Sequence, residues 1–211
     1  MPSPSNPLIV QGDKSILLEV QNERYEEARD ALARFAELEK SPEYIHTYRI
    51  TPLSLWNAAS SGLSAAEILA GLEAFSKYGL PSNVTRDIEE YVGRYGRVKL
   101  IREGENLIVS SDDSMLMVEI LNHKKTQVYL ERLDARRALV APGRRGHLKL
   151  ALLQIGYPAE DLAGYAPGDD LPIALRQSTL EGKPFILRHY QTEAAEIFHA
   201  GGSARGGSGV I

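Results

Sequence analysis

Cysteine is absent from this chain of 211 residues. Disulfide bonds, thiol nucleophiles and cysteine-based zinc sites are therefore excluded. The chain also lacks an apolar run of the ~18 residues that a membrane helix needs, and its first residues show neither the basic nor the apolar region of a signal peptide. These absences are typical of a cytoplasmic protein in a reducing compartment, with no membrane partner.

Motifs that would mark a self-contained active site are missing as well. Neither a nucleophile elbow, G-x-S-x-G, nor a Walker A sequence, G-x-x-x-x-G-K-[ST], occurs. The five histidines show no metal-ligand spacing (His46, His123, His147, His189 and His199). We therefore predict no catalytic residue, no metal site and no cofactor for this chain by itself. An independent hydrolase or nuclease is the least favoured interpretation.

Positive charge is scarce in the first half of the chain and concentrated further on. The net charge is −4, yet residues 121–150 contain 8 Lys and Arg against 2 Asp and Glu. Such a local excess gives the segment an electrostatic reason to bind phosphates. We predict weak, sequence-independent DNA binding through its basic residues, which are Lys124, Lys125, Arg136, Arg137, Arg144, Arg145 and Lys149. The alternative is a solvated basic surface that binds no ligand.

Helix-capping and periodicity signals divide the first half into short strands and helices. A helix is predicted over residues 23–39, after two β-rich runs. Thr51, the Ser64/Glu67 capping box and Ser82 predict the starts of three further helices. A hairpin is predicted next, over residues 97–110. Three helices followed by a hairpin are typical of a winged helix, and the acidic outer face of the third helix favours protein contact over base reading.

The second half predicts a smaller α+β unit. Asp112 or Asp113 is expected to cap a helix, and strands are predicted over residues 127–133 and 138–141. A basic helix follows over residues 144–155, with Arg145 and Lys149 on its outer face. A last strand is predicted over residues 171–175. The expected fold is therefore α+β, with an N-terminal α/β domain of winged-helix-like helices and hairpin followed by a small α+β domain.

Several stretches, in this order, resemble the N-terminal part of XPB-type DNA repair helicases. They are residues 44–51 (YIHTYRIT), 53–56 (LSLW), 76–81 (SKYGLP), 95–100 (YGRVKL), 156–158 (GYP), 161–165 (DLAGY) and 187–191 (LRHYQ). The last stretch matches the L-R-x-Y-Q lead-in to the Walker A loop of such motors. The absence of a long acidic insert is typical of the bacterial members.

The resemblance implies a regulatory, non-catalytic portion of an ATP-dependent 3′-to-5′ DNA helicase of repair or transcription, ending before the Walker A loop. It divides the chain into a partner-docking domain (1–121), a damage-recognition-like domain that contacts DNA (122–184) and the start of the helicase core (185–211). Archaeal relatives pair with a nuclease, which makes a nuclease a candidate partner. The alternative is a stand-alone winged-helix adaptor or transcription regulator.

The resemblance also implies a nucleotide contact in the intact helicase. Arg188 and Gln191 match the positions that contact adenine, and a glutamine amide presents both a donor and an acceptor to that base. ATP and Mg²⁺ would be cofactors of the intact helicase. Without a Walker A loop we expect very weak nucleotide binding by this chain, since phosphate contacts supply much of the affinity.

Overall fold

A computed structural model describes residues 2–164 and 176–199 of the chain. The chain forms two compact units, Met1–Tyr165 and Ala166–Ile211. Helices and two sheets occur together in the described residues, which confirms the predicted α+β class.

Four strands and four helices make up the first half of the first unit. Their bounds are β1 Leu8–Val10, β2 Ser15–Glu19, α1 Tyr25–Leu32, β3 Glu37–Lys40, β4 Ile45–Arg49, α2 Pro52–Ser60, α3 Ala65–Phe75 and α4 Ser82–Arg94. The strands form an antiparallel sheet in the order β1-β2-β4-β3. Apolar side chains of the sheet and of all four helices pack into one buried cluster, which we call the first core.

Helix α1 is shorter than the sequence predicted. It ends at Leu32, whose carbonyl accepts hydrogen bonds from the backbone N–H groups of Phe35 and Ala36. Phe35 is 4% exposed and turns into the first core. Residues 37–39, which were predicted to be helical, form the edge strand β3 together with Lys40. Pairing with β4 outweighs the helix preference of their Glu and Lys side chains.

Three helices begin where capping residues were expected. Thr51, Ser64 and Asp113 each accept a hydrogen bond from a backbone N–H two or three residues further on, at 2.9–3.2 Å. These bonds satisfy N–H groups that have no partner within the helix. Helix α4 starts one residue earlier than predicted, since Ser82 is its first residue and Pro81 precedes it.

The second half of the unit contains five strands and two helices. Their bounds are β5 Val98–Glu103, β6 Asn106–Ser110, α5 Ser114–Asn122, β7 Leu130–Arg132, β8 Arg137–Val140, α6 Arg145–Gln154 and β9 Ala159–Asp161. A 3-10 turn over Gln127–Tyr129 replaces the beginning of the strand predicted over residues 127–133. The strands form a sheet in the order β7-β8-β6-β5-β9, and its buried cluster with α5 and α6 is called the second core here.

Strand β9 was not predicted from the sequence. It pairs in parallel with β5, at the edge of the sheet, and is reached from β8 through helix α6. The connection is a β-α-β crossover that passes over β6 and β5. It places the end of β9 beside the first turns of α6.

The helices α2–α4 and the hairpin β5–β6 form in the predicted order. The three helices pack into the first core, whereas the hairpin lies in the middle of the second sheet. Along the chain, the buried residues of the first core end at Ile88 and those of the second core begin at Val98. The predicted domain boundary at residue 121 therefore falls within the second core. The winged-helix arrangement and the three-domain division stay predictions.

The second unit is described over residues 176–199. Its helix α7 spans His189–His199, and a bridge joins Ser178 to Pro184. The strand predicted over residues 171–175 lies outside the described residues. None of the helices in the described ranges has the length and apolar character to cross a membrane.

Candidate nucleic-acid interface

The seven basic residues predicted to bind DNA lie on three parts of the second sheet and its helices. Lys124 and Lys125 follow α5, and Arg136 and Arg137 lie at the turn between β7 and β8. Arg144 is the N-cap of α6, and Arg145 and Lys149 lie on its first turns. Tyr129 and Ala141 pair at one end of the β7–β8 hairpin, and its turn lies at the other end. Four residues of β8 span about 13 Å, which corresponds to several phosphates of duplex DNA.

Four of these cations are exposed and have no acidic partner among residues 2–164. Lys124, Lys125, Arg136 and Arg144 form no ion pair with any carboxylate of residues 2–164. We call these four residues the basic surface. Because their charge is not neutralised locally, they can attract a polyanion.

The turn that carries Arg136 is held by Asp134. The carboxylate of Asp134 accepts a hydrogen bond from the Arg136 backbone N–H at 2.8 Å and another from Arg137 Nε at 2.7 Å. These bonds keep the pKa of the Asp134 carboxyl below its usual range. The Ser111 N–H donates to the Arg136 carbonyl at 3.0 Å. The backbone of Arg136 is therefore fixed while its guanidinium group remains exposed.

Three of the seven predicted residues are ion-paired. Arg137 Nη1 lies 3.4 Å from a carboxylate oxygen of Glu103, in addition to its bond with Asp134. Arg145 and Lys149 both bind Asp161, at 2.6 and 2.9 Å. The sequence placed Arg145 and Lys149 on the outer face of the helix, but both are half-buried beside β9. This difference arises because β9 was not predicted.

Asp161 was missed as a functional candidate. Burial by itself would raise the pKa of its carboxyl, but the hydrogen bonds from Arg145 and Lys149, together with their charges, outweigh this effect and lower the pKa. Asp161 thus stays ionised near neutral pH. No local signal marks it, because its two partners precede it by 16 and 12 residues on another element.

An aromatic contact joins the two cores. Tyr157, just before β9, lies between Arg94 and Arg97, with guanidinium carbons 5.5 and 5.9 Å from its ring centre. Arg94 also donates to the Gly156 carbonyl at 3.3 Å. Residues 156–158 follow the C-cap of helix α6. They also attach α4 of the first core to the segment that leads into β9.

The outer face of α4 is largely neutralised by neighbouring charges. Asp87 binds Lys14 of the first sheet at 2.8 Å, and Arg94 pairs with Glu90. This face therefore offers little free positive charge to DNA. Its charges agree with the expectation that α4 does not read bases.

Arg188 and Gln191 lie at the start of α7 in the second unit. The Gln191 side-chain oxygen accepts from the Arg188 N–H at 3.0 Å, and the Gln191 N–H donates to the Arg188 carbonyl at 2.9 Å. The Gln191 side chain thus caps the Arg188 N–H at the start of the helix. The amide oxygen that an adenine contact would use is engaged in this cap, and the adenine role of both residues stays a prediction.

Three histidines within residues 2–164 pack against aromatic rings or bind the backbone. The Tyr25 hydroxyl lies 3.1 Å from His46 Nδ1, and the His147 ring lies 5.9 Å from that of Tyr129. His123 Nδ1 accepts from the Lys125 N–H at 3.1 Å. Within residues 2–164 and 176–199, no group of three or more His, Asp or Glu side chains is placed to hold a metal ion.

Residues 8–134 match the family model described as helicase conserved C-terminal domain. The chain is 47% identical to a DNA 3′-5′ helicase XPB of Mycobacterium tuberculosis and 44% identical to that of Kineococcus radiotolerans, over 93% of the chain and 35% of each relative.

A eukaryotic relative is more distant. The general transcription and DNA repair factor IIH helicase/translocase subunit XPB of Enterocytozoon bieneusi is 29% identical over 97% of the chain and 33% of its own length. The chain thus spans about a third of the length of the relatives it matches. The predicted resemblance to XPB-type helicases is confirmed, and because the family model covers more than half of its residues, the chain belongs to the helicase conserved C-terminal domain family.

Proposed function

We propose that this chain is the DNA-binding and partner-docking portion of a longer XPB-like 3′-to-5′ DNA helicase that acts in repair or transcription. The observation that carries the proposal is the basic surface on an otherwise acidic chain. Its four cations are exposed, unpaired within residues 2–164, and distributed over both ends of one hairpin. The names of the relatives, DNA 3′-5′ helicases, support DNA as the ligand.

Nucleotide hydrolysis belongs, in this proposal, to the part of the helicase that carries the Walker A loop. The chain lacks that sequence, so it has no backbone cradle or lysine for the phosphates. ATP and Mg²⁺ would bind the intact helicase, with Arg188 and Gln191 as contacts to the base. The absence of cysteine agrees with a reducing, cytoplasmic environment.

The DNA-binding proposal predicts a charge-dependent loss of affinity. Replacing both Lys124 and Lys125 by alanine removes two exposed cations from the basic surface, and replacing both Arg136 and Arg144 removes the other two. Each double variant should bind DNA about tenfold more weakly at low salt, and the slope of log affinity against log salt should fall by about 1.8. The measurement is fluorescence anisotropy with a labelled duplex at several salt concentrations.

The matched control is the double variant Arg34→Ala with Arg86→Ala. Both arginines are exposed, and both lie in the half of the unit that contains the first core. Their removal changes the net charge as much as each double variant does, without altering the basic surface. Its affinity should change by less than about twofold. Equal losses in all three double variants would show that net charge alone governs binding, and no loss in any would rule out this surface.

A second duplex of unrelated sequence separates the alternatives. Phosphate contacts predict the same affinity for both duplexes. A stand-alone transcription regulator would instead prefer one sequence by a large factor.

The first sheet offers a surface for a protein partner. Strand β3 is an edge strand whose four residues are all exposed, and large apolar side chains lie exposed on it and at the start of β4. Leu38, Tyr44 and Ile45 are 53%, 58% and 42% exposed. Exposed edges and apolar side chains are favourable for docking by strand addition.

The docking proposal predicts loss of a complex with a nuclease of the same organism, the partner class that the family resemblance implies. Leu38→Glu should weaken the complex at least about tenfold, because it places a charge within an apolar contact. The measurement is isothermal titration calorimetry with the purified nuclease. Leu162→Glu, equally exposed but in the second half of the unit, is the control and should bind normally.

A further inference from the structure

Asp161 ends the edge strand β9 and lies beside helix α6. In the parallel pairing Asp161 aligns with Leu100 of β5, whose side chain belongs to the second core. The Asp161 side chain is 14% exposed. Its carboxylate therefore lies at the border between the covered face of the sheet and solvent.

Two cations one helical turn apart converge on this carboxylate. Arg145 donates from Nε to one carboxylate oxygen at 3.0 Å and from Nη2 to the other at 2.6 Å. Lys149 Nζ donates to the first oxygen at 2.9 Å. A guanidinium group that grips two oxygens, with an ammonium group beside it, is also the arrangement that binds a phosphate.

The contact is accessible to solvent. Arg145 and Lys149 keep 27% and 42% of their side-chain surface exposed. Strand β9 contains only three residues and occupies the outermost position of the sheet. Arg145 Nη1 also donates to the Gly164 carbonyl, at 2.5 Å. Release of the carboxylate would leave this bond in place, and a phosphate could reach both cations from the solvent.

Asp134, unlike Asp161, helps to fix the backbone of a turn. Asp134 accepts the Arg136 N–H and so shapes the turn on which Arg136 and Arg137 lie. The bonds of Asp161 go to side chains of α6, apart from a long bond with the Ala163 N–H at 3.3 Å. The local backbone depends little on the Asp161 carboxylate.

We propose that Asp161 is an internal competitor of DNA: its carboxylate occupies the phosphate site of Arg145 and Lys149 and so keeps both cations from contacting DNA. This inference rests on the proposed DNA-binding function and adds its regulation. In the state described here Arg145 and Lys149 are occupied by Asp161, whereas the basic surface is available to DNA. Removal of the Asp161 charge adds two phosphate contacts on α6.

The test is Asp161→Asn in the full chain, with the same labelled duplex. The neutral amide competes poorly with phosphate, so affinity at low salt should rise about three- to tenfold. The slope of log affinity against log salt should steepen by about 1.8, the value for two additional contacts. The matched control is Glu160→Gln, which removes the same charge from the same strand, from a side chain on the opposite face of the sheet. Its affinity should stay within about twofold of the wild-type value, and its slope within about 0.5.

Lys149→Ala provides a second test that does not depend on the stability of the Asp161 variant. Lys149 is occupied by Asp161 in the free chain, so this single change should lower the affinity of the wild type by less than about twofold. In the Asp161→Asn background it should remove about half of the added slope. Circular dichroism melting of each variant shows that it is folded.

The outcomes distinguish the two proposals. Unchanged binding by the Lys124/Lys125 and Arg136/Arg144 double variants would contradict the DNA-binding function itself. Weakened binding by those variants, together with unchanged affinity and slope for Asp161→Asn, would overturn only the competition. A loss of affinity in Lys149→Ala as large as that of Lys125→Ala would also overturn it, because Lys149 would then contact DNA already.

Discussion

Leu100→Ala is expected to lower the free energy of unfolding by about 3 kcal/mol. Leu100 is fully buried in β5, at the centre of the second core, and truncation removes apolar contacts and leaves a cavity. The control is Leu162→Ala, whose side chain is 57% exposed and which should change stability by less than about 0.5 kcal/mol. Urea unfolding followed by circular dichroism measures both variants.

The only tryptophan of the chain adds a probe of the first core to the same experiment. Trp56 on α2 is 7% exposed, and its indole N–H donates to the Tyr91 carbonyl at 3.0 Å. Because Arg94 and Tyr157 join the two cores, we expect tryptophan fluorescence and circular dichroism to report the same shifted midpoint. A fluorescence midpoint that stays at the wild-type value would show that the cores unfold independently. A stability loss below about 1 kcal/mol would contradict the central position of Leu100.

Gly156→Ala is expected to lower the free energy of unfolding by about 2 kcal/mol. Gly156 has a φ of +84°, in the left-handed region that residues with a Cβ rarely adopt. A Cβ there would also lie 2.7 Å from Arg94 Nη1. The guanidinium group must therefore shift, which weakens its bond to the Gly156 carbonyl and its contact with the Tyr157 ring at the junction between the two cores.

Gly143→Ala separates the two parts of this effect. Gly143 has a φ of +70° but no atom within 4 Å of the position of a Cβ, so only the backbone strain of about 1 kcal/mol should appear. Thermal unfolding of both variants measures the difference. Equal losses in the two variants would mean that Arg94 moves away without cost and that its contacts contribute nothing to the junction.

Local signals were sufficient to predict most of the helices. Thr51, Ser64 and Asp113 begin helices because their side chains bond to backbone N–H groups only a few residues away, and such bonds are visible in the sequence. The basic helix α6 was likewise predicted, over residues 144–155. These elements depend on neighbours along the chain.

Strands that depend on distant partners were not predictable in the same way. Residues 37–40 have helix-forming side chains and no alternating apolar pattern, so only the presence of β4 makes them a strand. Strand β9 has the sequence AED, which carries no strand signal, and its partner β5 lies about 60 residues earlier. Pairing across such distances is a property of the tertiary fold.

The same limit applies to the candidate site. The charge pattern identified all seven cations, but it could not show which of them have acidic partners. Lys124 and Arg144 pair with no carboxylate of residues 2–164. Arg145 and Lys149 bind Asp161 of β9, the strand that was not predicted. The charge pattern thus named the candidate cations, and the fold showed how many of them lack an acidic partner within residues 2–164.

The short parallel strand at the end of the second sheet also has a consequence for biosynthesis. When residues 98–158 have left the ribosome, β5 has no neighbour on its outer side, and its backbone donors and acceptors face solvent. An unpaired strand of this kind can recruit the same segment of another nascent chain. The crossover through α6 has to deliver residues 159–161 before such recruitment occurs, so we expect slowed synthesis or truncation in this interval to yield aggregates.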